Sequence, residues 1–257
     1  MPGNGAVAQS RDVVYQYDGG LMGFYCCVFA SMSGKVMPMD ILSPNAAEPT
    51  LFEEVWIETD TQKADRVRRS VAEKISPQAR ELIENVFLSC LPQKELHMLR
   101  FLYKAYRVGP KIMQMLGDVD VAPLLAAQKH LFGERHLLLG FIRFSDYGGA
   151  LAATITPKNF VLPYLAGHFI NRFSGENFLI YDKTHGAALI YEDRKKSIVP
   201  VEGMDFPTVS EEEEKYQSLW KQFYKTIAIE ARENPKCRMT HMPKRYWENM
   251  TEMQEFL

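Results

Sequence analysis

Near residue 137 the apolar positions of this chain stop recurring at helical spacing and begin to alternate as strands do. Leu138–Phe144, Gly149–Thr156, Asn177–Asp182, Ala187–Tyr191 and Ser197–Val201 read as five strands, with turns at Gly148-Gly149 and Thr184-His185-Gly186. Val161–Phe173 reads as a helix between the second and third. The order β-β-α-β-β-β over about 138–201 predicts an α+β fold: a mainly antiparallel sheet packed with helices from both flanking segments.

The region ahead of the sheet, about 60–136, is helical by its punctuation. Thr59 or Asp60 can cap a helix reaching Lys74. Ser76-Pro77 is a second start signal, with proline at the first helical position, for a helix ending near Leu91-Pro92. A third helix runs from Gln93 to Arg107 and stops at Gly109-Pro110, and shorter ones cover 110–117 and 121–135. Earlier still, Val13–Tyr17 reads as a strand, Leu21–Met32 as a short buried helix and Leu51–Glu58 as a second strand, with Pro38 and Pro44 making loop between them. Beyond the sheet, Ser210 followed by Glu213 is a capping-box signature. Tyr216, Trp220, Phe223, Ile227 and Ala231 then form one apolar face, and Asn234-Pro235 stops the helix. Pro243 opens a last turn through Met250. Residues 1–11 read as a flexible tail and 12–257 as a single compact domain with C-terminal helices over 210–250.

Composition narrows the class. At 257 residues, 46% hydrophobic and 24% charged, the chain suits a globular domain and not a disordered or fibrous one. No apolar run approaches the roughly 18 residues of a membrane span, and the first residues lack the basic and apolar parts of a signal peptide. A cytoplasmic location is expected. Cys26, Cys27, Cys90 and Cys237 form no C-x-x-C pair, so no zinc ribbon or thioredoxin-type site is written here. The net charge of −2 conceals segments of −6 (1–61), +6 (62–111), −1 (112–210) and −1 (211–257), so any polyanion surface is local.

Two basic stretches are candidate nucleic-acid or partner surfaces. Arg100, Lys104, Arg107 and Lys111 share a helix face beside Tyr103 and Tyr106; a solvated helix face over core tyrosines is the competing reading. Between Lys215 and Trp247 there are eight basic residues and two acidic ones. Lys221, Lys225 and Arg232 fall on one helix face. Lys236, Arg238, Lys244 and Arg245 lie near Tyr246 and Trp247, a mixture of cations and rings that suits exposed bases; a tail anchored by its rings fits equally.

Other constellations are thinner. The glycines of Tyr17-Asp18-Gly19-Gly20-Leu21-Met22-Gly23 can offer N–H groups to a phosphate or simply make a tight turn. Cys26 and Cys27 read as buried thiols. His130 and Glu134 are spaced for a metal, but no third ligand completes a site, and none is assigned. His136, Arg143, His168, Arg172 and Asp182 are the acid–base and phosphate-binding candidates near the sheet.

Several phrases together resemble a bacterial family: YQYDGGLMGFYCCVF, GFIRF, GGALAATITPKNFVLPYLAGHFINRF, ENFLIYDKTHGAALIY and YQSLWKQFYKTIAIEARENPKCRMTHMPKRYW. These are similar to the DNA-repair or DNA-metabolism proteins that contain domain of unknown function 4130. The resemblance spans about Val13 to Trp247, and residues 33–61 contribute nothing to it. It implies a genomic neighbour that is a radical SAM protein of DNA repair, and relatives in which a similar domain is fused to a uracil-DNA glycosylase. It implies a context and a partner, not a reaction. No C-x-x-x-C-x-x-C occurs here, so any iron–sulfur cluster and SAM belong to the partner, and no cofactor is expected in this chain. Three functions follow: an accessory module that binds DNA, the radical SAM partner or both; an enzyme acting on a nucleobase or DNA end; or a scaffold without DNA contact.

Overall fold

The computed structural model describes residues 9–10, 12–44, 51–229 and 233–256. It divides into two compact units, Met1–Leu131 and Phe132–Leu257, where the sequence reading groups 12–257 together. Of the expected tail, 1–8 and 11 lie outside the described residues, whereas Gln9–Ser10 form strand β1.

In the first unit β2 (Val13–Gln16) lies between β4 (Asp40–Leu42) and β5 (Glu53–Trp56), all three parallel. β3 (Val36–Met37) pairs in parallel with β1. The stretch expected as loop between the first helix and the second strand therefore holds two short strands, β3 ahead of Pro38 and β4 between Pro38 and Pro44. Pro38 sits between β3 and β4, where its missing N–H removes no ladder bond, and Ile41 gives β4 a buried anchor.

Asp18-Gly19-Gly20 carries β2 into α1 (Leu21–Gly34), with Gly19 at φ +82°, a conformation that suits glycine. A Cβ on Gly23 would fall onto Asp18 Oδ1 and within 2.9 Å of Thr59 Oγ1 and Tyr17 Cδ2. Asp18 itself accepts from Gly20 N at 2.8 Å and from Thr59 Oγ1 at 2.7 Å. The start of α1 thus already holds a carboxylate, which settles the glycine phrase as a turn.

Three more helices complete this unit's core. α2 (Thr61–Lys74) is capped by Asp60, which accepts from Gln62 N and Lys63 N. α3 (Pro77–Phe87) is capped by Ser76 over Ala79 N and stops four residues earlier than Leu91. α4 (Lys94–Val108) ends at Gly109, φ +73°, and Pro110, and a 3-10 turn follows over Gly109–Gln114. Val71, Ile83, Leu99 and Leu102 are fully buried with Phe24 and Tyr25 of α1. Cys26 and Cys27 are buried, and burial pushes the Cys27 thiol far up.

α5 runs Ala122–Phe141 and overturns one expected strand, Leu138–Phe144. Leu124, Ala127, Leu131, Glu134 and Leu138 are buried at alternating spacings of three and four, the period of a helix. The strand left there is the two-residue β6 (Ser145–Asp146).

β7 (Ala150–Ile155), α6 (Leu162–Arg172), β8 (Asn177–Asp182), β9 (Ala187–Glu192) and β10 (Lys195–Pro200) follow. The sheet order is β10-β9-β8-β7-β6. β7 and β8 are parallel, joined through α6; the other three pairs are antiparallel. The fold is the α+β class, with a mainly antiparallel sheet in the second unit and a parallel one in the first.

α7 (Glu211–Ile227) begins at Ser210, whose Oγ accepts from Glu213 N at 3.2 Å. Its apolar face is not core: Tyr216 is 62% exposed, Trp220 40%, Phe223 53% and Ile227 57%. Ala231 of the expected stripe lies outside the described residues. Asn234-Pro235 does not stop α7 but starts α8 (Pro235–His241), with Asn234 Oδ1 accepting from Cys237 N. A 3-10 turn at Lys244–Asn249 contributes buried Tyr246 and Trp247, and another covers Gln254–Phe256. Among the described residues no helix is long and apolar enough to cross a membrane.

Candidate functional site

Where α5 gives way to β6, Arg143 turns into the second unit and is held on all sides. Its Nε and Nη2 donate to the two oxygens of Glu252 at 3.1 and 2.5 Å, and Nη1 donates to the carbonyls of Gly140 and Ile142. Trp220 of α7 covers the guanidinium at 5.6 Å and donates Nε1–H to Glu252 Oε2 at 2.9 Å. Burial pushes the Glu252 carboxyl up, but these hydrogen bonds outweigh it and hold it below the usual range.

Beside this clamp lies a groove of about 620 Å³, lined by Arg143, Phe144, Arg172, Phe173, Glu213, Gln217 and Trp220 among others. Its aromatic wall is built by Phe144, which meets Phe169, Phe173 and Phe178 edge-on at 5.3, 5.0 and 6.0 Å. Arg172, at the last turn of α6, is exposed, rests over the Phe173 ring at 5.8 Å and makes no ion pair among the described residues. It is a cation held in place by a ring and open to a ligand.

The opposite wall comes from the first turns of α7. The capping box is half made: Glu213 does not reach back to Ser210 N but turns to the sheet, accepting from Asp146 N at 3.3 Å and from Gln217 Nε2 at 2.9 Å. Gln217 Nε2 also donates to Ser145 Oγ at 3.1 Å. Nothing in the residue spacing announces this pair, because the capping role accounts for Glu213 by itself.

Of the acid–base candidates, Arg143 and Arg172 meet in the groove. His136 and His168 are exposed on α5 and α6. Asp182 is buried and accepts from Thr184 N and His185 N, with Oδ2 2.7 Å from His185 Nδ1, so it closes its own turn and does not join His168.

The C-terminal cations and rings divide. Tyr246 and Trp247 are 2% and 5% exposed, which favours the reading of a tail anchored by its rings over that of a stacking surface. Tyr246 OH and Arg245 Nη2 both donate to Glu134 Oε1 at 2.8 Å, and Arg245 also bonds Tyr246 OH. Glu134 further accepts from Lys158 N, Asn159 N and Asn159 Nδ2. Burial raises its carboxyl, and these donors bring it below the ordinary range. Trp247 donates Nε1–H to Met242 O. Arg238 pairs with Glu233 at 3.1 Å and Lys225 with Glu255 at 2.6 Å. Lys221 is half-buried, Lys236 and Lys244 are exposed, and Arg232 lies outside the described residues.

On α4 in the first unit Arg100 and Arg107 are exposed, but Lys104 between them is closed off by Asp118 at 2.6 Å and Asp120 at 3.0 Å. Tyr103 is half-buried and donates to Ser31 O. A cavity of about 770 Å³ in this unit includes Asp40, Cys90, Gln93, Lys94 and Glu95 in its lining. Cys90 Sγ lies 3.8 Å from His130 Nδ1. Its cation is already in use, since Lys94 Nζ donates to Phe87 O and Ser89 O, and its carboxylates give it the wrong sign for a polyanion. Among the described residues no three His, Cys, Asp or Glu side chains group as metal ligands.

Residues 92–252 match the model of a family described as Domain of unknown function (DUF4130). Searches of curated proteins and of solved structures returned no match.

Proposed function

The chain belongs to the family of the domain of unknown function DUF4130, and from that premise we propose that it is an accessory module of DNA repair or DNA metabolism that holds unpaired DNA for a radical SAM partner. The observation that carries the reading is the groove of the second unit, where the open cation Arg172 stands beside the rings of Phe144, Phe173 and Trp220. Unpaired DNA asks for that pair of features, a cation for the phosphate and faces for the bases. Iron–sulfur and SAM chemistry then belongs to the partner. The exposed apolar residues of α7 outside the groove, Leu219, Phe223 and Ile227, each more than half exposed, are the surface we assign to that protein contact.

The test is fluorescence anisotropy with single-stranded and duplex oligonucleotides over a salt series, with and without the radical SAM protein. Single strands bind more tightly than duplex, affinity falls with salt, and Arg172→Glu weakens binding by about tenfold or more. Absence of salt-dependent binding in every arm overturns the DNA reading. Partner capture without DNA affinity leaves the scaffold in its place.

A further inference from the structure

We infer that the groove discriminates among unpaired bases, preferring those with an exocyclic amino group, cytosine among them, to thymine and uracil. This rests on the nucleic-acid reading and adds a base preference to it.

The inference comes from which hydrogen-bonding groups of the groove are already engaged. Nε, Nη1 and Nη2 of Arg143 make four hydrogen bonds to Glu252 or to backbone carbonyls, and the indole N–H of Trp220 also points at Glu252. Arg172 lies over Phe173, where a guanidinium meets a phosphate more readily than a base edge. The hydroxyls of Tyr216 and Thr251 donate or accept as required and do not discriminate. What remains on the α7 wall is Glu213 and Gln217.

Both present acceptors. A carboxylate only accepts, so Gln217 must turn its amide nitrogen toward Glu213 Oε1, as observed at 2.9 Å. The same nitrogen serves Ser145 Oγ at 3.1 Å. The amide oxygen of Gln217 is thereby directed away from both and has no hydrogen bond among the described residues. Beside it the Glu213 carboxylate keeps lone pairs beyond those taken by Asp146 N and Gln217 Nε2. The wall is acceptor-rich.

A base lying between the rings meets this wall edge-on. Cytosine offers two N4–H donors, and adenine and guanine offer amino donors of their own. Thymine and uracil offer a single N3–H between two carbonyl oxygens, so acceptors face acceptors. Replacing such a contact by an acceptor clash changes affinity by roughly tenfold.

The experiment compares the full chain on oligo-dC, oligo-dT and oligo-dU of equal length, which share backbone charge and differ at the base edge. The expected result is dC at least about tenfold tighter than dT and dU, with Gln217→Met and Glu213→Gln each bringing the ratio toward one by weakening dC alone. Thermal melts of the variants check that they fold, and the wild-type ratio stands whatever they do. Equal, salt-dependent binding of all three overturns the base preference and leaves the DNA reading intact. No binding of any overturns both. A dC preference that survives in both folded variants overturns the assignment to this wall.

Discussion

Glu252 and Arg143 form a two-pronged pair, Oε2 to Nε at 3.1 Å and Oε1 to Nη2 at 2.5 Å, 109 residues apart in sequence, with the Glu252 side chain 2% exposed. The pair anchors the turn around Glu252 against the end of α5 and fixes Trp220 at the groove.

Glu252→Ala therefore leaves a mostly buried guanidinium and an indole N–H without their acceptor. A loss of about 3 kcal/mol is expected in urea unfolding, with a smaller one for Glu252→Gln. A change within about 0.5 kcal/mol would mean the clamp does not hold the fold.

Acid should act most strongly through two buried carboxylates. Glu134 and Glu252 both titrate below their ordinary range in the folded chain, so the unfolded chain binds protons first. Their stabilisation is complete above the unfolded value, about pH 4.3, and is lost as pH falls through the depressed native values. Urea midpoints from pH 7 down to pH 3 should decline on the acid side, and Glu134→Gln/Glu252→Gln should flatten that decline while lowering stability at pH 7.

Gly23→Ala tests the packing of Asp18 over α1. The new methyl meets the Asp18 carboxylate, Thr59 Oγ1 and the Tyr17 ring, and a cost of about 2 kcal/mol is expected in thermal or urea unfolding. A neutral or stabilising result refutes the close approach.

Thiol labelling should sort the cysteines by burial. Iodoacetamide on the native chain modifies exposed Cys90 and Cys237, whereas buried Cys26 and Cys27 react only after denaturation. Peptide mass spectrometry reads the order, and early labelling of Cys27 contradicts its place in the core.

Salt dependence separates an open cation from a closed one. Arg172→Ala should reduce the slope of log affinity against log salt for a single strand by about 0.7. Lys104→Ala should leave it unchanged, because Asp118 and Asp120 already neutralise that ammonium.

Much of the architecture is legible where local chemistry decides. Asp60 and Ser76-Pro77 start α2 and α3 as their capping chemistry requires, and Asn177–Asp182 is a strand with the predicted bounds because alternation and turns agree there. α5 misleads because Leu137-Leu138-Leu139 and Phe141-Ile142 are apolar without gaps, so neither period stands out. α7 misleads differently, since its apolar spacing is right for a buried face and the described residues leave it open. The groove is legible in part. Arg143 and Arg172 are visible as cations near the sheet, but which of them stays open depends on Glu252, far along the chain. Tyr246 and Trp247 look like stacking surfaces because composition records rings and charges, not the Glu134 carboxylate that takes the Tyr246 hydroxyl or the Met242 carbonyl that takes the Trp247 indole.

That carboxylate has a consequence for how the second unit is made. Glu134 waits for Arg245 and Tyr246, which follow it by 111 and 112 residues. At roughly 5–20 residues per second, a ribosome takes about 5–20 seconds to supply them. Until then the charge on α5 has only the donors of Lys158 and Asn159, 24 and 25 residues on, and its cation and its phenol are still to come. The contact between Arg245 and Glu134 is therefore among the last the second unit can make, because it must wait for the chain that closes it.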